Sequence, residues 1–227
     1  MEMGYLEMTH PVLDDGFVRL ESYMGGDLSV VNHARKTLDK YHEEIEERDE
    51  GLIRRLMRNG HGSPFESIHF SFHIRAPIFV ARQWMRHRIA SYNEISGRWA
   101  DTEKKFYVPK GELLRKETSN HIFEEMDDSE GIEATLLNSF DLCVRTYNYF
   151  LNRGMAKELA RIVLPTAMYT EFYFDVNGRS LMNFLAQRNH KHAQMEIRKY
   201  AEKIEKVFAL VAPLCYNAFQ KYGRRAP

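Results

Sequence analysis

Residues 82–98 read RQWMRHRIASYNEISGR, and how this stretch is read decides how the rest of the chain folds around it. It carries four arginines, one histidine, one glutamate, one glutamine, one asparagine and two serines. That is too much hydrogen-bonding capacity for a core element. The polar groups are also spaced too irregularly for the solvated face of a helix. The apolar run Ile78-Phe79-Val80-Ala81 just before it anchors it to the core. Arg82 and Arg86 stand at i and i+4, and Gln83 and Arg86 at i and i+3, so a helix here presents them on one side. Past Arg88 the apolar periodicity stops. Ser91, Asn93, Glu94, Ser96 and Gly97 then read as a loop of residues that hydrogen-bond backbone or ligand. Guanidinium forks suit phosphates and carboxylates and stack on flat rings. By composition alone the stretch is either an anion-binding element or a cross-linked surface loop.

Working outward, 227 residues suit a single domain spanning 1–227 with ample length for a core. Acidic and basic residues balance at 32 each, so the bulk charge offers no surface for a nucleic-acid polymer. An anion site must therefore be a local basic pocket. Cys143 and Cys215 are too few and too far apart for a disulfide framework and read as small core residues. The start, MEMGYLEMTH, lacks a basic n-region and an apolar h-region, so no signal peptide is expected. No apolar run approaches the roughly 20 residues that span a bilayer. The expectation is a soluble, cytoplasmic protein that makes no membrane contact.

Upstream, residues 17–24 alternate as a strand, Gly25-Gly26 turn the chain, and Asp27 reads as the cap of a helix beginning at Leu28. Residues 43–59 form a charged helix with the stripe Ile45, Leu52, Ile53, Leu56 and Met57, closed by Gly60 in the left-handed conformation. After the polar connection of residues 61–67, residues 68–74 alternate strictly. Ile68, Phe70, Phe72 and Ile74 take one face and His69, Ser71 and His73 the other. The two histidines read as a solvated or interface face, since no cysteine or carboxylate pattern completes a metal site. Pro77 suits the first turn of the next helix.

Downstream, residues 112–130 are polar and aperiodic, the segment most suited to mobility. Residues 132–152 form an amphipathic helix with Leu136, Leu137, Phe140, Val144, Tyr147 and Leu151 near one face. Residues 157–163 form a short helix stopped before Pro165, and 167–176 a β-prone strand. Asn177-Gly178 lead into a helix over 180–187, and 192–222 read as one long terminal helix. The whole is an α+β domain with an antiparallel or mixed sheet flanked by helices.

No Walker loop or Rossmann fingerprint is present, so any nucleotide phosphate would have to be held by arginine forks and helix ends. Arg179 and Asn183 share a helix face at i and i+4 beside a helix N-terminus. On its own, Asn177 reads as an N-cap and Asn183 as an exposed residue. Arg161, amid apolar residues before a proline, implies an anionic partner. Arg188 reads as a cation at a helix C-terminus.

The order Arg86-His87-Arg88-Ile89-Ala90-Ser91-Tyr92-Asn93-Glu94-Ile95-Ser96-Gly97-Arg98 matches R-H-R-x-x-S-x-N-E-x-S-x-R and resembles the signature of the flavin-dependent thymidylate synthases. The resemblance runs from Gly16-Phe17-Val18 to the terminal helix. It implies transfer of a one-carbon unit from methylenetetrahydrofolate to carbon 5 of dUMP, with FAD as cofactor and NADPH as reductant. It implies a homotetramer with sites shared between subunits. It assigns Ser63, Glu66, Arg86, His87, Arg88, Ile89, Glu94, Asn177, Gly178, Arg179 and Asn183 to the flavin, with Ser63 and Glu66 reaching a neighbour's site. It assigns Gln83, Trp84, Met85, Arg86, Glu94, Ile95, Ser96, Gly97, Arg98, Arg161 and Arg188 to the uridylate. Arg188 carries the catalytic role, favouring the anionic form of uracil. His61 is the matching histidine near the folate or flavin ring. Neither cysteine has an activating context, which agrees with a flavin-based route lacking an enzyme nucleophile. Lys36-Thr37 and Trp99-Ala100 depart from the more frequent family residues, which leaves room for a homologue that methylates UMP. A silent flavin- or nucleotide-binding protein is the remaining alternative.

Overall fold

The computed structural model describes residues 9–97, 104–119, 122–222 and 224–227. Strands β1 (Thr9–Val12), β2 (Gly16–Met24), β3 (His69–Pro77), β4 (Ser91–Glu94) and β7 (Tyr169–Asn177) form one sheet in the order β1-β2-β3-β7-β4, every pairing antiparallel. Strict alternation sets its two faces. Ile68, Phe72 and Ile74, with Phe172, Phe174 and Val176 from β7, are buried on one side. Helices α1 (Asp27–Arg35), α2 (Glu47–Arg58), α3 (Ile78–Trp84), α6 (Gly178–Arg188), α7 (Met195–Val211) and α8 (Pro213–Lys221) complete this core with residues such as Val30, Ile53, Val80, Leu181, Ile204 and Phe219. The opposite face is polar. There His73 Nδ1 lies 3.0 Å from Arg19 and its Nε2 3.0 Å from Glu171. His73 thus bridges Arg19 and Glu171 by hydrogen bonds, and the described residues hold no group of three or more His, Cys, Asp or Glu suited to a metal.

Six expectations are corrected. Asp27 does not cap its own helix. Its carboxylate instead accepts from the amides of Leu214 (2.8 Å) and Cys215 (2.9 Å), capping α8 from far along the chain. The terminal helix is two helices, because Pro213 has no N–H and its ring cannot follow a helical turn; it opens α8 instead. The charged helix begins at Glu47, where Asp49 accepts from the Glu46 amide at 2.9 Å and ends the fraying that residues 43–46 would allow.

Within residues 112–130, β5 (Arg115–Ser119) and β6 (Ile122–Glu125) pair as a hairpin. Backbone pairing and the Arg115–Glu196 ion pair (3.2 Å) hold it without any apolar pattern. Lastly, α3 ends at Trp84, so Arg82 and Arg86 share no helix face, and residues 91–94 are strand β4 rather than loop. Their main chain pairs with β7, which asks nothing of side-chain polarity.

Other local readings match. Gly60 has φ +70° after α2, and Asn177 Oδ1 accepts from the Ser180 amide at 2.8 Å as an N-cap. Helix α4 (Ser129–Asn152) buries Phe140 and Tyr147 but leaves Leu137 and Leu142 exposed. A short helix α5 (Lys157–Ala160) and a 3-10 turn, Arg161–Val163, return the chain to β7. Lys36 and Thr37 sit in a 3-10 turn, where Lys36 pairs with Asp39 at 2.7 Å.

Candidate active site

Strand β4 lies at the sheet edge with Ser91 opposite Asp175 and Glu94 opposite Phe172. The signature therefore runs along β7 from its Asn177 end toward its Tyr169 end, and a cleft opens at each end. Tyr92 fixes the start of this run. Its ring stacks on Phe174 at 5.5 Å, and its hydroxyl donates to the carbonyls of Trp84 (3.2 Å) and His87 (2.9 Å).

The first cleft, about 830 Å³, is walled by Arg86, His87, Arg88 and Ile89 from the turn after α3 and by Asn177, Arg179, Asn183 and Arg188 on or beside α6. Four guanidiniums thus face one acidic side chain, Glu66, which pairs with Arg179 at 2.9 Å. Arg179 also donates from Nε to the Pro227 carbonyl at 2.6 Å, and Asn183 accepts from Gln187 at 3.1 Å. Arg188 donates to His87 Nε2 at 3.0 Å and to the Gln83 carbonyl at 3.0 Å. A guanidinium only donates, so His87 accepts at Nε2 and carries its proton on Nδ1. Burial, and then the charge of Arg188, pushes the His87 pKa down to about 4. Burial and the charge of Arg86 push that of Arg188 down. These cations repel one another, and an anionic ligand relieves the repulsion.

The second cleft, about 410 Å³, gathers Glu94, Ile95, Gly97, Arg161, Tyr169 and Thr170. Thr170 donates its hydroxyl to Glu94 Oε1 at 2.6 Å. Arg161 is exposed, and its Nε donates to the Glu158 carbonyl at 3.3 Å. A Cβ placed on Gly97 would stand 3.5 Å from the Arg161 guanidinium, so the two line one wall. At about 3.4 Å per residue, the nine residues of β7 put the two clefts on the order of 27 Å apart.

The sequence-derived residues are thus divided. Arg86 and Arg188 belong to one cleft; Glu94, Ile95, Gly97 and Arg161 belong to the other. Arg98 lies outside the described residues, as do Trp99 and Ala100. Ser96 is half-buried between Ile95 and Gly97. The Trp84 indole is fully buried among Phe172, Phe174, Phe184 and Tyr200, so its side chain lines neither cleft. Met85 packs against the core, and the Gln83 side chain hydrogen-bonds Gln194. Gly178 is buried against the turn Ser63–Ser67, where a Cβ would come within 2.7 Å of the Phe65 carbonyl. Ser63 is exposed on that turn. Sequence reasoning missed Gln187, Pro227 and Thr170. Gln187 is one turn beyond Asn183 and was findable by spacing; the other two carry no local signal.

A cleft walled by four arginines at one end of a sheet edge, and a second one holding Arg161 at the other, offer cationic groups suited to anions without a glycine-rich phosphate loop. The profile of the thymidylate synthase complementing protein family matches residues 19–214. The chain is 49% identical over 216 residues to a flavin-dependent thymidylate synthase of Thermotoga neapolitana, covering 95% of this chain and 96% of that one. It is 42% identical to the Wolbachia pipientis wMel enzyme, covering 94% and 76%. Among solved structures, the UMP/dUMP methylase PolB from Streptomyces cacaoi bound with 5-Br dUMP aligns with TM-score 0.88 at 36% identity, covering 95% of this chain and 99% of that one. The same methylase with 5-Br UMP aligns with TM-score 0.86 at 35% identity, covering 96% and 100%. The chain belongs to the flavin-dependent thymidylate synthase family, a family of methyltransferases.

Proposed function

We propose that this chain makes dTMP from dUMP by reductive methylation of uracil carbon 5, with FAD as cofactor, methylenetetrahydrofolate as carbon donor and NADPH as reductant. The observation that carries this reading is the first cleft, where four guanidiniums outnumber a single acidic side chain. A dinucleotide diphosphate fits that imbalance, with Arg86, Arg88 and Arg179 as its clamps and Asn183 and Asn177 as amide partners. Gly62 makes room for the clamp, since a Cβ there would lie 2.5 Å from Arg179 Nε. Bound FAD supplies the reducing equivalents, drawn from NADPH, that complete the methyl group.

The chain's own residues bind, orient and polarise. Arg188, held by His87 and the Gln83 carbonyl, presents a fixed cation that stabilises negative charge on the uracil ring. Arg161 and the signature residues Glu94–Gly97 receive the uridylate. Cys215 does not offer itself as a nucleophile. Cys215 is fully buried, and burial together with Asp27 holds its thiol well above the ordinary range. The cleft separation supports sites completed between copies in a homotetramer. So do the exposed Leu137, Leu142, Leu159 and Ile162 of the α4–α5 region. No helix among the described residues is long and apolar enough to cross a membrane. The metabolites it would use support a cytoplasmic location.

A second reading, methylation of UMP as well, draws support from the methylase structures that hold 5-Br UMP and 5-Br dUMP alike. Turnover of the two nucleotides side by side tests both. Expected are a yellow protein with FAD, bleaching by NADPH, and dTMP formed from dUMP. A protein that stays colourless after FAD is added overturns the proposal, and absence of any UMP product removes the second reading.

A further inference from the structure

We infer that Thr170 is a positioning residue for the uridylate cleft: its hydroxyl fixes the Glu94 carboxylate in the orientation that receives the nucleotide. The inference rests on the function proposed above.

On β7 the side chains of Phe172, Phe174 and Val176 fill the core, and Thr170 continues the same face at 7% exposure. At this level the apolar stripe ends and a hydroxyl takes its place. Glu94 is the last residue of β4, and by strand alternation it shares the side of Tyr92, which stacks on Phe174. An acidic side chain is therefore directed along the inner side of an edge strand, where an apolar residue would be ordinary. Thr170 Oγ1 meets it at 2.6 Å, the length of a charge-assisted hydroxyl–carboxylate bond.

That bond engages Oε1. Among the described residues Glu94 makes no other hydrogen bond, so Oε2 stays available to a ligand. An ionised carboxylate only accepts, which means that the group Glu94 holds is a donor of the nucleotide. Arg161 on the same cleft holds an anionic group. The rest of the Glu94 side chain is exposed and would otherwise sample several rotamers. A buried threonine on a rigid central strand removes that freedom before the nucleotide arrives.

The test uses the full chain with FAD and compares Thr170→Val, which keeps the shape and removes the hydroxyl, with Thr170→Ser, which keeps the hydroxyl. Loss of one charge-assisted bond that organises binding predicts a KM for dUMP raised about tenfold with kcat changed by less than about twofold. Thr170→Ser restores KM to within about twofold of wild type, and NADPH-driven bleaching of the flavin is the same in all three. In a Glu94→Gln background, Thr170→Val adds less than about twofold, because the carboxylate it orients is gone. Thr170→Ala carries the same expectation if the valine variant fails to fold. An unchanged KM in Thr170→Val, a serine variant as impaired as the valine one, or additive effects with Glu94→Gln each overturns the positioning role. Wild-type protein that binds FAD but neither binds nor turns over dUMP overturns the underlying function itself.

Discussion

Acid is the most informative perturbation of the first cleft, because one histidine there is held neutral by its neighbours. His87 accepts a hydrogen bond from Arg188, and its pKa sits at about 4 against an ordinary value of 6.5. At pH of about 5.3, a histidine with the ordinary value would be about 95% protonated, whereas His87 would be only about 5% protonated. Protonation would remove the acceptor that holds Arg188 and add another positive charge beside Arg86 and Arg188. The sign follows from a depressed pKa on a base. Between about 4 and 6.5 the unfolded chain binds more protons than the folded one, so stability rises with pH across that window. The neutral-state contribution is complete above about 6.5 and is lost as pH falls toward about 4. Ring-carbon NMR of labelled histidine, with His87→Gln to assign the resonance, measures the midpoint directly. Wild-type FAD binding is expected to hold down to about pH 5 as far as this residue controls it. A His87 resonance that titrates near 6.5 would refute the reasoning, because neither burial nor the Arg188 contact would then be acting on it.

Three further outcomes follow from the geometry. Asp27→Ala strips two amides at the start of α8 of their acceptor, and is expected to cost about 2–3 kcal/mol in urea denaturation at fixed protein concentration. Faster hydrogen exchange at Leu214 and Cys215 accompanies it, and a loss below about 0.5 kcal/mol would sink the cap assignment. Gly178→Ala forces a Cβ toward the Phe65 carbonyl and should cost about 1–3 kcal/mol, read by the same denaturation, while weakening FAD retention measured by dialysis. Arg188→Ala is expected to abolish dTMP formation while the flavin spectrum persists; joint disappearance of both would reassign Arg188 to the flavin.

What could be read from the sequence was local. Strand β3 was legible because Ile68, Phe72 and Ile74 alternate with polar residues over a whole strand. Gly60 and Asn177 were legible because a left-handed cap and an N-cap each depend on one residue type. The helical spacing of Arg179 and Asn183 placed both on one cleft wall, as they are found. The rest depends on partners distant in the chain. Asp27 meets α8 across nearly the full length of the sequence, and nothing beside it in the chain indicates that. The hairpin of β5 and β6 is held by Arg115 and Glu196, which also lie far apart. Pro213 is a local signal, and it is what divides the stretch 192–222 into two helices. The polar run 91–94 reads as loop because edge-strand pairing leaves no mark on side-chain composition. The motif identified the family, yet did not show that its two halves line clefts at opposite ends of a strand.

That arrangement gives strand β4 the role of a ruler. Its four residues carry the chain from the turn holding Arg86 and Arg88 to the carboxylate of Glu94, and its pairing with β7 fixes how far along the sheet each group stands. Strand geometry is unforgiving of length. One inserted or deleted residue would turn Glu94 to the outer face, away from Thr170, and would carry Tyr92 off its stack on Phe174. Substitutions within residues 91–94 change single contacts, whereas a change of length would take both clefts out of alignment at once. The spacing of the motif is accordingly a measured distance as much as a set of functional groups.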